Sequence, residues 1–237
     1  MFDLLFARNV RHMTATTVTG SAGDTAPSPR RARTLGEAFA IFGLHLTPFL
    51  IMAITATVVV ARIAVGNWRW QQLVIVGVVF ALQPFIEWTT HVFVLHARPR
   101  RVLGREVDLY VAKKHRRHHA DPRNLDILSM PLPGLITFSL ITAGVAALLP
   151  NAADRLTLAV VNAVFLLGYE WIHFLIHTDY KPKTAAYRKL YQHHRLHHFR
   201  NENYWYGVSR RFGDQVLGTN PSKNDVPLSP TCKAILG

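Results

Sequence analysis

The sequence predicts an all-α integral membrane fold, a bundle of four transmembrane helices with a cytoplasmic helical cap. Three observations predict it. The 237 residues contain four apolar runs, at about 38–61, 73–95, 132–149 and 156–176, each near the roughly 20 residues that a bilayer-spanning helix needs. Lysine and arginine crowd onto one side of those runs. Histidines recur in a pattern that appears twice.

The N-terminal segment, residues 1–34, opens with "MFDLLF", too short for a cleavable signal, and continues through "TATTVTGSAGDTAPSPR". That polar stretch reads as a flexible cytoplasmic segment. The first run contains His45, read as a satisfied or interfacial polar residue, and Pro48, which predicts a kink. "GNWRW" is a short outer turn whose tryptophans suit the membrane interface. The second run ends in "EWTTHVFVLH" and leads to a loop from Ala97 to Met130. The third run lies between Pro131 and Pro150, "PNAAD" turns, and the fourth returns through "GYEWIHFLIH". Residues 35–220 read as one membrane-embedded domain and 221–237 as an irregular tail.

Lysine plus arginine outnumber aspartate plus glutamate by 27 to 14. By itself such an excess fits nucleic acid or an anionic membrane surface; the apolar runs decide for the membrane. Of the 27 basic residues, only Arg62, Arg69 and Arg155 fall on the side opposite the termini and the long middle loop. The positive-inside rule therefore places both termini and that loop in the cytoplasm. The single cysteine, Cys232, excludes an intramolecular disulfide and a thiolate metal cage.

Segments 73–122 and 156–201 form an internal repeat. Each reads apolar helix, Glu-Trp, two histidines, then H-R-x-H-H. Glu87-Trp88 precedes His91 and His96, with His115, His118 and His119 beyond; Glu170-Trp171 precedes His173 and His177, with His194, His197 and His198 beyond. The topology brings all ten to one membrane face. On a helix, positions i, i+3 and i+4 share a side, so each H-x-x-H-H cluster can point together. His91 and His96 are five apart, which predicts a helix end or a bulge there. Ten imidazoles exceed the needs of one ion, so two metal ions with four or five histidines each are expected, making the cap the holder of a histidine-rich dimetal site. A pH-sensing or merely basic surface would leave the spacing unexplained.

Glu87 and Glu170 are ionisable groups inside spans, one turn from a histidine. The expected role is to accept a ring N–H and fix a tautomer. His193 adjoins the second cluster outside the matched spacing and reads as a hydrogen-bonding or substrate-side neighbour. Asp121, Asp126, Asp179 and Asp214 read as turn or cap residues, or as further support for the ligands. Tyr204, Trp205 and Tyr206 read as a substrate rim at headgroup depth or as anchors of the cap. Arg210 and Arg211 could meet a phosphate, a carboxylate or a lipid surface.

The pattern H-x4-H, H-x-x-H-H, H-x3-H, H-x-x-H-H resembles the fatty acid hydroxylase superfamily, which includes sterol desaturases and carotenoid hydroxylases. The intervals look most like the fatty acid 2-hydroxylase branch, as do "QHHRLHH" and "YWYGVSRRFGDQVLGTNP". The resemblance covers about 87–221. It implies a membrane-embedded helical fold, a cytoplasmic dimetal centre and O2-dependent chemistry on lipid C–H bonds. Eukaryotic members of the branch often carry a fused haem domain. These residues include none, so the expected electron donor is a separate protein, a ferredoxin or a small haem carrier with its reductase. The expected cofactors are two iron ions with O2 as co-substrate; zinc can occupy the same imidazoles but lacks a second oxidation state. The reading that follows is a non-haem diiron hydroxylase of a fatty acyl chain. The alternatives are a carotenoid or sterol hydroxylase or desaturase, a bis-histidine haem membrane cytochrome and a divalent-metal transporter.

Overall fold

The computed structural model describes residues 32–232. Arg8, Arg11, His12, Arg30, Arg31, Lys233 and nearly all of the N-terminal segment lie outside the described residues.

Helix α1 (Leu35–Leu44) starts at Thr34, whose hydroxyl accepts the Glu37 N–H while the Glu37 carboxylate accepts the Thr34 N–H. This reciprocal box satisfies two amides that a helix start leaves without partners. Helix α2 (Leu46–Val65) follows after His45 alone. The first apolar run is thus two helices, where the sequence suggests one kinked span. Pro48 sits in the first turn of α2, where its missing N–H costs nothing. The break falls at His45, whose backbone is extended and whose Nδ1 bonds the Ile41 carbonyl at 2.8 Å. Its Nε2 lies 3.5 Å from Asp126.

Helix α3 (Gln71–Thr90) continues as a π-turn over His91–Leu95. Helix α4 (Tyr110–Ala120) carries the first H-x-x-H-H cluster, α5 (Leu132–Ala147) is the third apolar run and α6 (Ala152–Ile176) the fourth. Helices α7 (Ala185–Phe199) and α8 (Phe212–Leu217) complete the set. One departure from an all-α fold is a hairpin of β1 (Arg100–Val102) and β2 (Arg105–Val107), antiparallel with Arg101 opposite Glu106. Gly104 at φ 76° supplies the left-handed position that a tight hairpin turn requires.

Four helical stretches, Leu46–Val65, Gln71–Leu95, Leu125–Ala147 and Ala152–Ile176, are long and apolar enough to cross a membrane. Their outward faces are apolar: Phe49, Val60, Leu73, Phe80 and Leu140 are all exposed. In water such a surface would aggregate, whereas in lipid it is the solvated face. The chain is an integral membrane protein.

Polar groups close the bundle at the end of α2 and the starts of α3 and α6. Arg62 is 3% exposed and donates to Thr157 Oγ1 at 2.8 Å, Gln72 Oε1 at 2.6 Å and the Gly66 carbonyl at 2.6 Å. Trp68 lies 3.7 Å from its guanidinium carbon. Arg69 makes a two-pronged bond to Asp154, at 2.9 and 2.8 Å, and Gln72 joins the same carboxylate. Removing one member strands the rest in an apolar setting. Arg62→Ala is expected to cost roughly 2–4 kcal/mol, read as a lower melting temperature of the purified protein in detergent, with metal content per folded molecule unchanged.

Candidate metal centre

The opposite bundle end is built around the histidines. At the end of α3 the wider π-turn puts the His96 N–H on the His91 carbonyl at 3.0 Å. Five residues thereby make one turn, so both imidazoles face the same point, as the spacing of five requires. His173 and His177 do the same at the end of α6 with ordinary i, i+4 geometry.

The ten histidines gather into two groups of five. One contains His91, His96, His115, His119 and His197; the other contains His118, His173, His177, His194 and His198. Within each group the potential ligand atoms lie within 4.8 Å of one another. The division is not by sequence half. Four members of each group come from one repeat, and the fifth crosses from the other: His197 into the first group, His118 into the second. Helix geometry explains the exchange. In H-x-x-H-H the outer pair at i and i+4 is about 40° apart on the helix, while i+3 is turned about 60° the other way. The outer pair serves its own repeat, and the middle histidine faces the neighbouring group.

Proton accounting shows that the groups fit a cation. His115 Nε2 is 3.1 Å from His91 Nε2, 3.2 Å from His96 Nε2 and 3.1 Å from His119 Nε2. A ring nitrogen holds either one proton or one lone pair, so it cannot satisfy three other nitrogens. Three backbone carbonyls fix the tautomers further. His91 Nδ1 meets the Tyr206 carbonyl at 2.6 Å, His197 Nδ1 meets that of Tyr204 at 2.8 Å, and His177 Nδ1 meets that of Pro122 at 2.7 Å. A carbonyl only accepts, so each Nδ1 carries the proton and each Nε2 turns a lone pair inward. His118 Nε2 and His173 Nε2 are buried with no hydrogen-bond partner among the described residues. Convergent neutral imidazoles with inward lone pairs could hold divalent transition metals.

The carboxylates behave differently from the sequence expectation. Among the described residues, neither Glu87 nor Glu170 hydrogen-bonds a histidine. Glu87 accepts the N–H groups of Val208 and Ser209, the Ser209 hydroxyl and Gln83 Nε2, and so clamps the loop after α7. Glu170 accepts the Met130 N–H at 3.1 Å. Beside Glu87, the Tyr206 carbonyl already takes the His91 ring N–H, and the amides that the two carboxylates accept would otherwise be buried without acceptors.

Asp214 is the residue that sequence reasoning undervalued. It is fully buried rather than a turn or cap group. Its carboxylate accepts from His193 Nε2 at 2.8 Å, Tyr206 N at 2.9 Å, Gly207 N at 2.6 Å and Thr219 Oγ1 at 2.6 Å. His193 is therefore a support that ties α7 to this loop. Burial raises the Asp214 carboxyl, but the bonds from His193, Thr219 and Gly207 outweigh it and hold the group below the usual carboxylate range. The sequence signal was the pairing of an odd histidine with a lone aspartate inside "FGDQVLGTN".

Trp205 and Tyr206 do not form a rim. They are 1% and 4% exposed. The Tyr206 ring packs on His91, His96 and His197 at centroid distances of 5.5, 5.7 and 5.3 Å. Trp205 donates its indole N–H to the Pro221 carbonyl and has φ 58°, a left-handed conformation. Arg210 lays its guanidinium 3.7 Å from the Phe80 ring centre and donates to the Phe80 carbonyl, so it is engaged within the bundle.

Burial first, and neighbouring histidines after it, hold His96, His115, His118, His119, His194, His197 and His198 well below the ordinary imidazole range. For His177 burial is opposed by the Pro122 carbonyl, and the value falls from 6.5 to about 3.

Apolar spans closing on two imidazole groups at one end define the class, an integral membrane protein able to hold metal in histidine. The fatty acid hydroxylase family model matches residues 75–219, a stretch that includes all ten histidines, and the chain belongs to that family. A dihydroceramide fatty acyl 2-hydroxylase of Arabidopsis thaliana is 27% identical over 139 residues, covering 57% of this chain and 56% of that protein. The chain thus spans about half the length of the curated relative it matches. The hydroxylase domain visible in a structure of full-length Scs7p has a TM-score of 0.57 at 23% identity, over 76% of this chain and 65% of that one, which shows a shared fold.

Two outcomes are expected. Asp214→Ala releases the loop that carries the Tyr204 and Tyr206 carbonyls, and metal affinity falls roughly 10–100-fold, measured by competition with a chromogenic chelator. The metal-free protein keeps full stability above about pH 6.5 and loses it as pH falls toward about 3. Over that window the unfolded chain takes up protons that the folded imidazoles refuse; chemical denaturation across the range measures it.

Proposed function

We propose that the chain is a membrane-bound non-haem diiron oxygenase that hydroxylates a fatty acyl chain, using O2 and electrons from a separate donor protein. The observation that carries this reading is the pair of five-imidazole groups in a fatty acid hydroxylase chain. The overall change is R–H + O2 + 2 e⁻ + 2 H⁺ → R–OH + H2O. Two iron ions, one per histidine group, would supply the redox chemistry that activates O2, which zinc in the same imidazoles cannot supply.

The chain's own residues do the rest. The ten histidines would hold the ions. The carbonyls of Tyr204, Tyr206 and Pro122 keep a proton on Nδ1 and so keep each Nε2 available. Burial of Trp205, Tyr206 and Val208 keeps water from that side of the site. The ligands lie at span ends, so an acyl carbon close to a lipid headgroup reaches them while the rest of the chain stays between apolar helices. That position agrees with the activity for which the Arabidopsis relative is named, fatty acyl 2-hydroxylation. The concentration of basic residues supports a site and termini on the cytoplasmic side, and residues 35–220 form the membrane-embedded hydroxylase-like domain.

Comparative lipidomics of cells with and without the gene tests the reading. Cells with the gene are expected to gain hydroxylated acyl lipids that take label from 18O2, and His197→Ala is expected to abolish that gain. Identical lipid profiles in both strains would overturn it. Reconstitution with iron is expected to restore turnover of the metal-stripped protein, and zinc is not.

A further inference from the structure

We propose that the β1–β2 hairpin is a wedge that docks on the anionic headgroup surface of the membrane, with Leu103 entering the acyl boundary. Leu103 stands at the hairpin tip, 99% exposed, beside Val102 at 50%. Its φ is 49°, a left-handed conformation that glycine and asparagine adopt more readily than leucine. A leucine here is unfavourable twice in water, through its backbone and through its bare side chain. Both costs are offset if the tip meets lipid.

The charges around the tip fit the same partner. Arg98, Arg100, Arg101 and Arg105 are all exposed. Two acidic residues oppose them: Glu106 stands across the ladder from Arg101, and Asp108 at the base is taken by Arg116 at 2.6 Å, so four arginines face one free carboxylate. Guanidinium groups flanking an apolar tip match phosphate above and acyl chain below. Position agrees as well. Only residues 96–99 separate the spanning helix from the hairpin: the span ends at Leu95 and β1 begins at Arg100. Five residues reach at most about 18 Å, so the hairpin stays within reach of the interface. Its base is held in place, because Arg116 also donates to the Ala97 carbonyl at 2.7 Å. A two-stranded hairpin with every residue exposed is marginal alone, and a lipid surface supplies the missing face.

The test uses the full chain in nanodiscs of equal parts phosphatidylcholine and phosphatidylglycerol. An environment-sensitive fluorophore is placed on Leu103→Cys and, as a water-facing control, on Lys189→Cys of α7. The parental chain, whose Cys232 is buried, is the labelling blank. The probe at 103 is expected to emit at shorter wavelength than the control and to be quenched by shallow nitroxide lipids. Each of Arg100→Gln, Arg101→Gln and Arg105→Gln is expected to raise its exposed-to-shielded ratio about fivefold at low salt. A probe at 103 as wet as the control overturns the proposal. So does shielding that arises only when an acidic protein is added, or shielding indifferent to the arginines.

Discussion

Everything at the histidine end of the molecule follows from one constraint: an imidazole nitrogen offers a proton or a lone pair, never both. Packing ten rings so that the Nε2 atoms of eight approach to 3.0–3.2 Å leaves lone pairs facing lone pairs. Neighbouring rings cannot satisfy them, and burial forbids protonating them together. The arrangement makes sense around a cation. The surrounding structure then has two tasks, to bring the rings to one place and to keep their outer nitrogens protonated.

The loop between α7 and α8 performs the second task. Asp214 gathers four donors, Glu87 gathers the amides of Val208 and Ser209, and Tyr204 and Tyr206 are left with carbonyls aimed at imidazoles. The left-handed Trp205 between them belongs to this design, since it redirects the backbone between two consecutive inward carbonyls. Close approach enforces the same geometry. A Cβ on Gly207 would stand 2.0 Å from the Arg210 carbonyl oxygen, and one on Gly213 2.5 Å from that of Pro84. The first glycine lets the loop fold under Asp214, and the second lets α8 lie on α3.

The four spans, the ten histidines and the bulge between His91 and His96 were legible in the sequence because each is a matter of spacing along one helix. Hydropathy length marks a span, and a separation of five marks a widened turn. The partition into groups was less visible, since it depends on which way His118 and His197 point once two helices face each other. The supports were misread for a related reason. Glu87 is one helical turn from His91, and local proximity suggested a pair. The structure gives that carboxylate to amides more than 120 residues away, and backbone donors leave no mark in a sequence. Tyr204, Trp205 and Tyr206 resembled an interfacial belt by composition, although their work is done by main-chain oxygens and by ring packing.

The crossed histidines carry a consequence for biogenesis. As the chain emerges from the ribosome, the first repeat presents four donors of its group long before His197 is made, and His118 waits for partners that follow it by more than fifty residues. Neither ion cage can close until α7 has been synthesised and folded back. A metal ion could be held by a complete five-histidine group only at the end of membrane insertion, and a nascent or truncated chain lacks such a group.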